Sequence, residues 1–220
     1  MPESRLKLPA LVLLALTVAL SSCSTTEGDV DTVTPVDIPA ASMSYIVLAW
    51  SDLGMHFLSP TYDKEVLLPP YNTLVAQVIK RGDPPEIVTA GVTLEYRIMN
   101  NTYSYGKGTA DPLRNYAGFW DNSFDLFGID LAPDTGLNFV DPGVHNGLAG
   151  SMLLKGDRFE VNGVPVVPFK DDGTRDPYQV AEIIVRDAST SVELARTQAT
   201  VPTSDEINCA LCHGQPISGE

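Results

Sequence analysis

Residues 178–187 read YQVAEIIVRD and residues 191–201 read SVELARTQATV. Both runs are rich in β-branched and aliphatic side chains, and only the polar turn Ala188-Ser189-Thr190 separates them. Two such runs joined so briefly predict an antiparallel hairpin. Upstream, Val92–Met99 (VTLEYRIM) alternates, with Val92, Leu94, Tyr96 and Ile98 on one face and Thr93, Glu95 and Arg97 on the other. That period of two is the mark of a half-buried strand. Tyr45–Trp50 (YIVLAW) is a continuous apolar run, and Thr73–Lys80 (TLVAQVIK) starts after Pro69-Pro70 and stops before Gly82-Asp83-Pro84-Pro85. In Arg158–Phe169 (RFEVNGVPVVPF), Asn162-Gly163 lies between apolar flanks and predicts a type I′ hairpin turn.

Many short strands with dense Pro and Gly punctuation favour a β-sandwich over an α/β fold. One helix is expected to interrupt them. Asp111 suits an N-cap, Pro112 the first helical position and Gly128 the position after the helix. Tyr116, Phe119, Trp120, Phe124 and Phe127 recur between them at spacings of three to four, so five aromatics share one face. Packing of that face on the sheet is favoured over a ligand surface. Tyr178, after Asp176-Pro177, resembles the tyrosine corner of immunoglobulin-like sandwiches. The expected class is therefore mainly β: an immunoglobulin-like β-sandwich over residues 43–203, with one inserted amphipathic helix.

The chain has 220 residues and a formal net charge of -14. An acidic surface opposes nucleic-acid binding, which requires Lys and Arg to neutralise phosphates. With 44% apolar and 19% charged residues, most of the chain is globular.

The first 22 residues read as an address. Arg5 and Lys7 precede the apolar run Leu8–Leu20, too short to span a bilayer. The run ends at Leu20-Ser21-Ser22-Cys23, which resembles the lipobox of bacterial lipoproteins. That resemblance implies cleavage before Cys23, acylation of Cys23 and a lipid anchor on the cell envelope. Ser24, in place of Asp, is compatible with the outer membrane. Residues 23–42 have no aromatic side chain and no apolar period, and are expected to act as a disordered tether.

Chemistry is concentrated in residues 204–220. Cys209-Ala210-Leu211-Cys212-His213 is a CxxCH sequence, the attachment signature of c-type haem. On a helical turn, residues three apart share a face, so both thiols reach the haem vinyl groups and the adjacent imidazole reaches the iron. Ser204 as N-cap, with Asp205 and Glu206 behind it, predicts a short haem-binding helix there. A structural disulfide between Cys209 and Cys212 remains an alternative in an exporting compartment. A zinc site would need a second Cys/His cluster, and a thioredoxin-like site a βαβ context.

In these residues the chain resembles c-type cytochromes, and more narrowly the exported lipoprotein and multihaem cytochromes of respiring Gram-negative bacteria. The resemblance implies one covalent haem c, thioethers at Cys209 and Cys212, iron ligation by His213 and one-electron transfer to redox partner proteins such as other cytochromes. Only residues 214–220 follow His213, which leaves no room for a helical cytochrome domain. The haem must pack on the β-body, stay exposed or be covered by another protein, and the chain could be the front end of a longer multihaem chain. His56 and His145 are the candidate distal ligands, beside Met43, Met55, Met99 and Met152. A distal His favours a lower potential and a distal Met a higher one.

Two other classes compete with an electron carrier. One is a scaffold or adhesion lipoprotein whose CxxC is a disulfide or thiol site. The other is a haem enzyme with an open distal position, for which no acid–base pair is visible. The acidic turns, such as Asp171-Asp172-Gly173, lack EF-hand spacing. The GxSxG, HExxH and P-loop motifs are missing from the sequence.

Overall fold

A computed structural model describes residues 44–58, 69–108 and 114–205. Nine strands lie in it: β1 Tyr45–Trp50, β2 His56–Phe57, β3 Thr73–Lys80, β4 Glu86–Ile87, β5 Val92–Ile98, β6 Ala149–Lys155, β7 Arg158–Asn162, β8 Tyr178–Asp187 and β9 Glu193–Ser204. The fold is mainly β, as expected. The strands form one curled sheet in the order β1-β3-β7-β6-β5-β8-β9-β2, with β4 beside β3.

The curl is built into β6. Its first half pairs with β5 (Ala149↔Arg97, Met152↔Leu94) and its second half with β7 (Leu153↔Glu160, Lys155↔Arg158). A strand that changes partners midway turns the corner between two sheet halves, as in sandwich packings. The curl brings β1 against β9. The two halves thus enclose one core, made by Val47, Leu74, Val78, Leu94, Tyr96, Phe159, Val161, Ile183, Val185 and Val201, among others. The alternation expected of β5 holds: Leu94, Tyr96 and Ile98 are buried while Thr93, Glu95 and Arg97 face out. On that outer face Arg97 and Arg196 both bind the buried Glu182 carboxylate, at 2.7 and 2.8 Å.

Three expectations need correction. The aromatic segment forms two short helices, α1 Ala117–Asp121 and α2 Ser123–Phe127, broken at Asn122. The break turns the aromatic stripe apart. Tyr116, Phe119 and Trp120 join a second core with Leu58, Leu131, Leu137 and Val167, whereas Phe124 is 65% exposed. Gly128 does take the left-handed conformation that ends α2, while Asp111 and Pro112 lie outside the described residues.

Asn162-Gly163 is not a hairpin turn. A type I′ turn needs positive φ at both central residues. Gly163 has φ 71°, but Asn162 is not among the residues with positive φ. β7 ends there, and Val164, Val166 and Val167 continue as a buried irregular segment. The hairpin lies one strand earlier, between β6 and β7 at Gly156-Asp157. Tyr178 is not a tyrosine corner either. Its side chain is 55% exposed, and its hydroxyl bonds to nothing among the described residues.

Candidate functional site

Cys23, Cys209, Cys212 and His213 lie outside the described residues, as does Met43. The fold fixes what leads to the motif: the end of β9. Ser204 is the last residue of β9 and Asp205 is built into the body, while the short helix expected after them lies outside the described residues.

The end of β9 is held on both edges. On one side the Leu58 amide donates to the Ser204 carbonyl at 2.9 Å, continuing the β2 pairing. On the other the Thr203 amide donates to the Pro177 carbonyl at 2.9 Å. Beneath, Asn72 Nδ2 donates to the Pro202 carbonyl and to Thr203 Oγ1, while its Oδ1 accepts from Ser51 Oγ and the Thr73 amide. Every polar atom of the Asn72 amide group is used, which suits its complete burial.

Asp205 closes the strand with a clamp. Its Oδ2 accepts from Arg114 Nε at 2.7 Å and Tyr116 Oη at 2.6 Å, and its Oδ1 accepts from Arg175 Nη2 at 2.7 Å. The carboxylate is wholly inaccessible. Burial pushes its pKa up, but the bonds from Tyr116, Arg175 and Arg114 outweigh that and hold it below the ordinary carboxylate value. Two guanidinium groups and one phenol on a single carboxylate make a rigid post.

From that post to Cys209 the chain has three intervening residues. An extended chain spans at most about 3.6 Å per residue, so the Cys209 Cα lies within about 14 Å of the Asp205 Cα.

His56 stands beside the post. β2 runs parallel to β9, with His56 opposite Thr203 and Phe57 opposite Ser204. The imidazole is only 7% exposed. Its Nε2 lies 2.7 Å from the Pro69 carbonyl, and a carbonyl can only accept, so Nε2 carries the proton. Nδ1 then offers a lone pair and has no hydrogen-bond partner among the described residues. Burial lowers the His56 pKa despite the Pro69 bond, so the ring is neutral near pH 7. Tyr71 packs on His56 at 6.1 Å between ring centroids, and Phe139 on Tyr71 at 5.3 Å. His56 is thus a buried neutral imidazole beside the anchored end of β9, and the CxxCH motif, which begins four residues after Asp205, lies outside the described residues.

The other candidates are placed differently. His145 is exposed in a loop closed by the Gly136 amide donating to the Asn146 carbonyl at 2.8 Å. Met152 is buried in the main core, and Met99 Sδ accepts from Gln198 Nε2 at 3.3 Å. Met55 is half-buried, next to His56. Sequence reasoning did not find Arg114, Tyr116 and Arg175 as partners of Asp205, because 91, 89 and 30 residues separate them.

No protein-family model, curated protein or solved structure matches the chain.

Proposed function

We propose that the chain is an exported electron carrier of the c type, tethered to the cell envelope through an acylated Cys23, with one haem held by Cys209, Cys212 and His213. Haem supplies a one-electron change at its iron. The chain's own residues do the rest. Cys209 and Cys212 would hold the group by thioethers, His213 would bind its iron, and the Asp205 clamp would root the motif on the β-body. The net charge of -14 would steer basic partners toward it.

The observation that carries this reading is the CxxCH sequence four residues beyond a clamped strand end. A disulfide needs no adjacent histidine and no fixed root. The haem reading uses all of these features together, and it accounts for all three cysteines.

The test is covalent haem. The full chain is expressed in an exporting host with c-type maturation machinery, then run on a denaturing gel stained for haem. A stained band in wild type that disappears in Cys209→Ala/Cys212→Ala supports the carrier. A folded, exported protein with no band in the presence of the machinery overturns it, and a scaffold or adhesion lipoprotein with a Cys209–Cys212 disulfide takes its place.

A further inference from the structure

We propose that the outer face of the β1-β3-β7-β6 half of the sheet packs against the same face of a second copy of this chain. The pairing involves only residues of the β-body and is independent of the haem reading.

The face is apolar where the outer side of an antiparallel sheet is ordinarily polar. On β1, Val47 points into the core, so Ile46, Leu48 and Trp50 point out. Their partners on β3 are Ile79, Gln77 and Val75, and Ile87 of β4 lies beside Ile79. Val75 pairs in turn with Glu160 of β7, and Glu160 with Leu153 of β6. Leu48, Trp50 and Leu153 are 49%, 41% and 54% exposed. The other half of the sheet shows the usual pattern, with the pairs Glu95–Arg186 and Arg97–Glu182–Arg196 on its outer side. Single exposed apolar side chains are ordinary, but a contiguous set on one face marks a binding surface.

The charges on the face select its occupant. Arg81 continues β3 at one end, its amide donating to the Ser44 carbonyl at 2.8 Å. Asp52 follows β1 at the other end and accepts from Thr73 Oγ1 of β3. Both are exposed, and neither has an ion-pair partner among the described residues. They lie over the same two strands, about 26 Å apart at about 3.3 Å per residue. Between them come the rows Ile46–Ile79, Leu48–Gln77 and Trp50–Val75.

That series is complementary to its own reverse. A two-fold axis in the plane of the face, across the strands at Leu48, sets Leu48 on the second copy's Leu48. Ile46 and Ile79 then meet the second copy's Trp50 and Val75, and Arg81 meets its Asp52. An isologous interface needs this property, with residue i on j and j on i. Sheets pack face to face about 10 Å apart with their strands nearly aligned, which this axis allows. Four strands at about 4.8 Å and eight residues at about 3.3 Å give a face of about 500 Å². Two copies then cover about 1,000 Å², the size at which specific interfaces begin.

The net charge of -14 on each copy opposes self-association, but this face carries no excess of acid. Arg81, Lys155 and Arg158 stand there against Asp52 and Glu160, and Glu160 is bound to Arg158. A bilayer fits less well, because the exposed carboxylates Asp83, Glu86 and Asp157 border the Arg81 end and repel lipid phosphates.

The experiment is sedimentation equilibrium of the full chain, purified from the exporting host in density-matched detergent, over about 1 to 100 μM. Wild type should have twice the mass of one chain. Leu48→Asp sets two carboxylates together at the axis and should be a monomer. Asp52→Arg should weaken the dimer about tenfold or more, because Arg81 then meets a like charge. Adding Arg81→Asp to Asp52→Arg restores opposite charges and should recover wild-type association. Val192→Asp, at an exposed position in the β8–β9 turn, should stay dimeric.

A wild type that is monomeric throughout overturns the proposal. If brominated lipid then quenches Trp50, the face belongs to a bilayer, since the other tryptophan, Trp120, is buried. A dimer that survives Leu48→Asp, or is lost equally with Val192→Asp, also overturns it. If Leu48→Asp does not fold, the exposed charge pair decides. Recovery in the double variant supports the pairing, and a double variant no tighter than Asp52→Arg alone sinks it.

Discussion

Thr203 and His56 face each other across a parallel pairing, while the other edge of the same strand pairs antiparallel with β8. A two-residue strand contributes little hydrogen bonding to a sheet. What it does is bring a segment near the start of the body to the point where the chain leaves it. The end of β9 is therefore flanked by His56 on one edge and by Pro177 on the other, and Asp205 is clamped one step further on.

The clamp itself should be measurable as stability. Asp205→Asn leaves two guanidinium groups facing a neutral amide at a buried site. Breaking a buried ion pair from one side costs about 3 kcal/mol or more. Urea unfolding should show a lower midpoint with an unchanged slope. An equal midpoint would mean that Arg114 and Arg175 find water at no cost.

The same pair of proteins should converge in acid. The folded-state pKa of Asp205 lies below its ordinary value of 3.8. A depressed carboxylate contributes stability that is complete above the unfolded value and drains as pH falls through the folded one. The gap between wild type and Asp205→Asn should thus hold at neutral pH and close progressively below pH 3.8. A gap that widens in acid would contradict the direction of the shift.

The hairpin of β8 and β9 is legible because a short polar turn joins two runs rich in β-branched and aliphatic side chains, of which Ala181, Ile183, Val185, Ala195, Ala199 and Val201 are buried. β6 is not, because only Met152 of its seven residues is buried and Leu153 and Leu154 are exposed, so no period survives. Asn162-Gly163 carried a turn signal that tertiary contact overrode. The Gly163 backbone lies against the Leu137 carbonyl, and the Val164 amide is taken by the Asn72 carbonyl. The CxxCH spacing is plain in five adjacent residues, Cys209 to His213, which lie outside the described residues. The clamp could not be read from the sequence, since an Asp after Thr-Ser reads locally as a helix start and its partners are distant in sequence.

The broken helix gives a paired prediction. Phe119 is fully buried in the second core and Phe124 is largely exposed. Phe119→Ala should cost about 4 kcal/mol, the usual range for a buried Phe. Phe124→Ala should stay within about 0.5 kcal/mol of wild type, as at an open surface position. Comparable losses in thermal midpoint would restore the single helix with five aromatics on one face.

Gly136 and Gly163 show how closely two loops approach. A Cβ on Gly136 would lie 1.7 Å from the Gly163 carbonyl oxygen, whereas one on Gly173 would meet nothing within 4 Å. Gly173→Ala should lose only the left-handed preference at φ 84°, about 1–2 kcal/mol. Gly136→Ala, at a residue without a left-handed φ, must instead push two backbones apart and should lower the unfolding midpoint further. Equal midpoints would show that the 136–138 and 163 segments separate freely.

The last prediction concerns partners and follows from charge. The chain carries 28 acidic against 14 basic residues. Opposite charges on two proteins raise the encounter rate, and salt screens the attraction, with a Debye length of about 10 Å at 0.1 M. If the matured chain passes electrons between proteins, reduction of a basic small cytochrome by the ferrous form should slow steeply as salt rises from about 0.01 M to 1 M. With an acidic acceptor the trend should reverse, because salt then screens repulsion. Stopped-flow traces at several salt concentrations would measure both. A rate independent of salt for both acceptors would mean that the exchange surface is uncharged, and that the acidic body serves solubility alone.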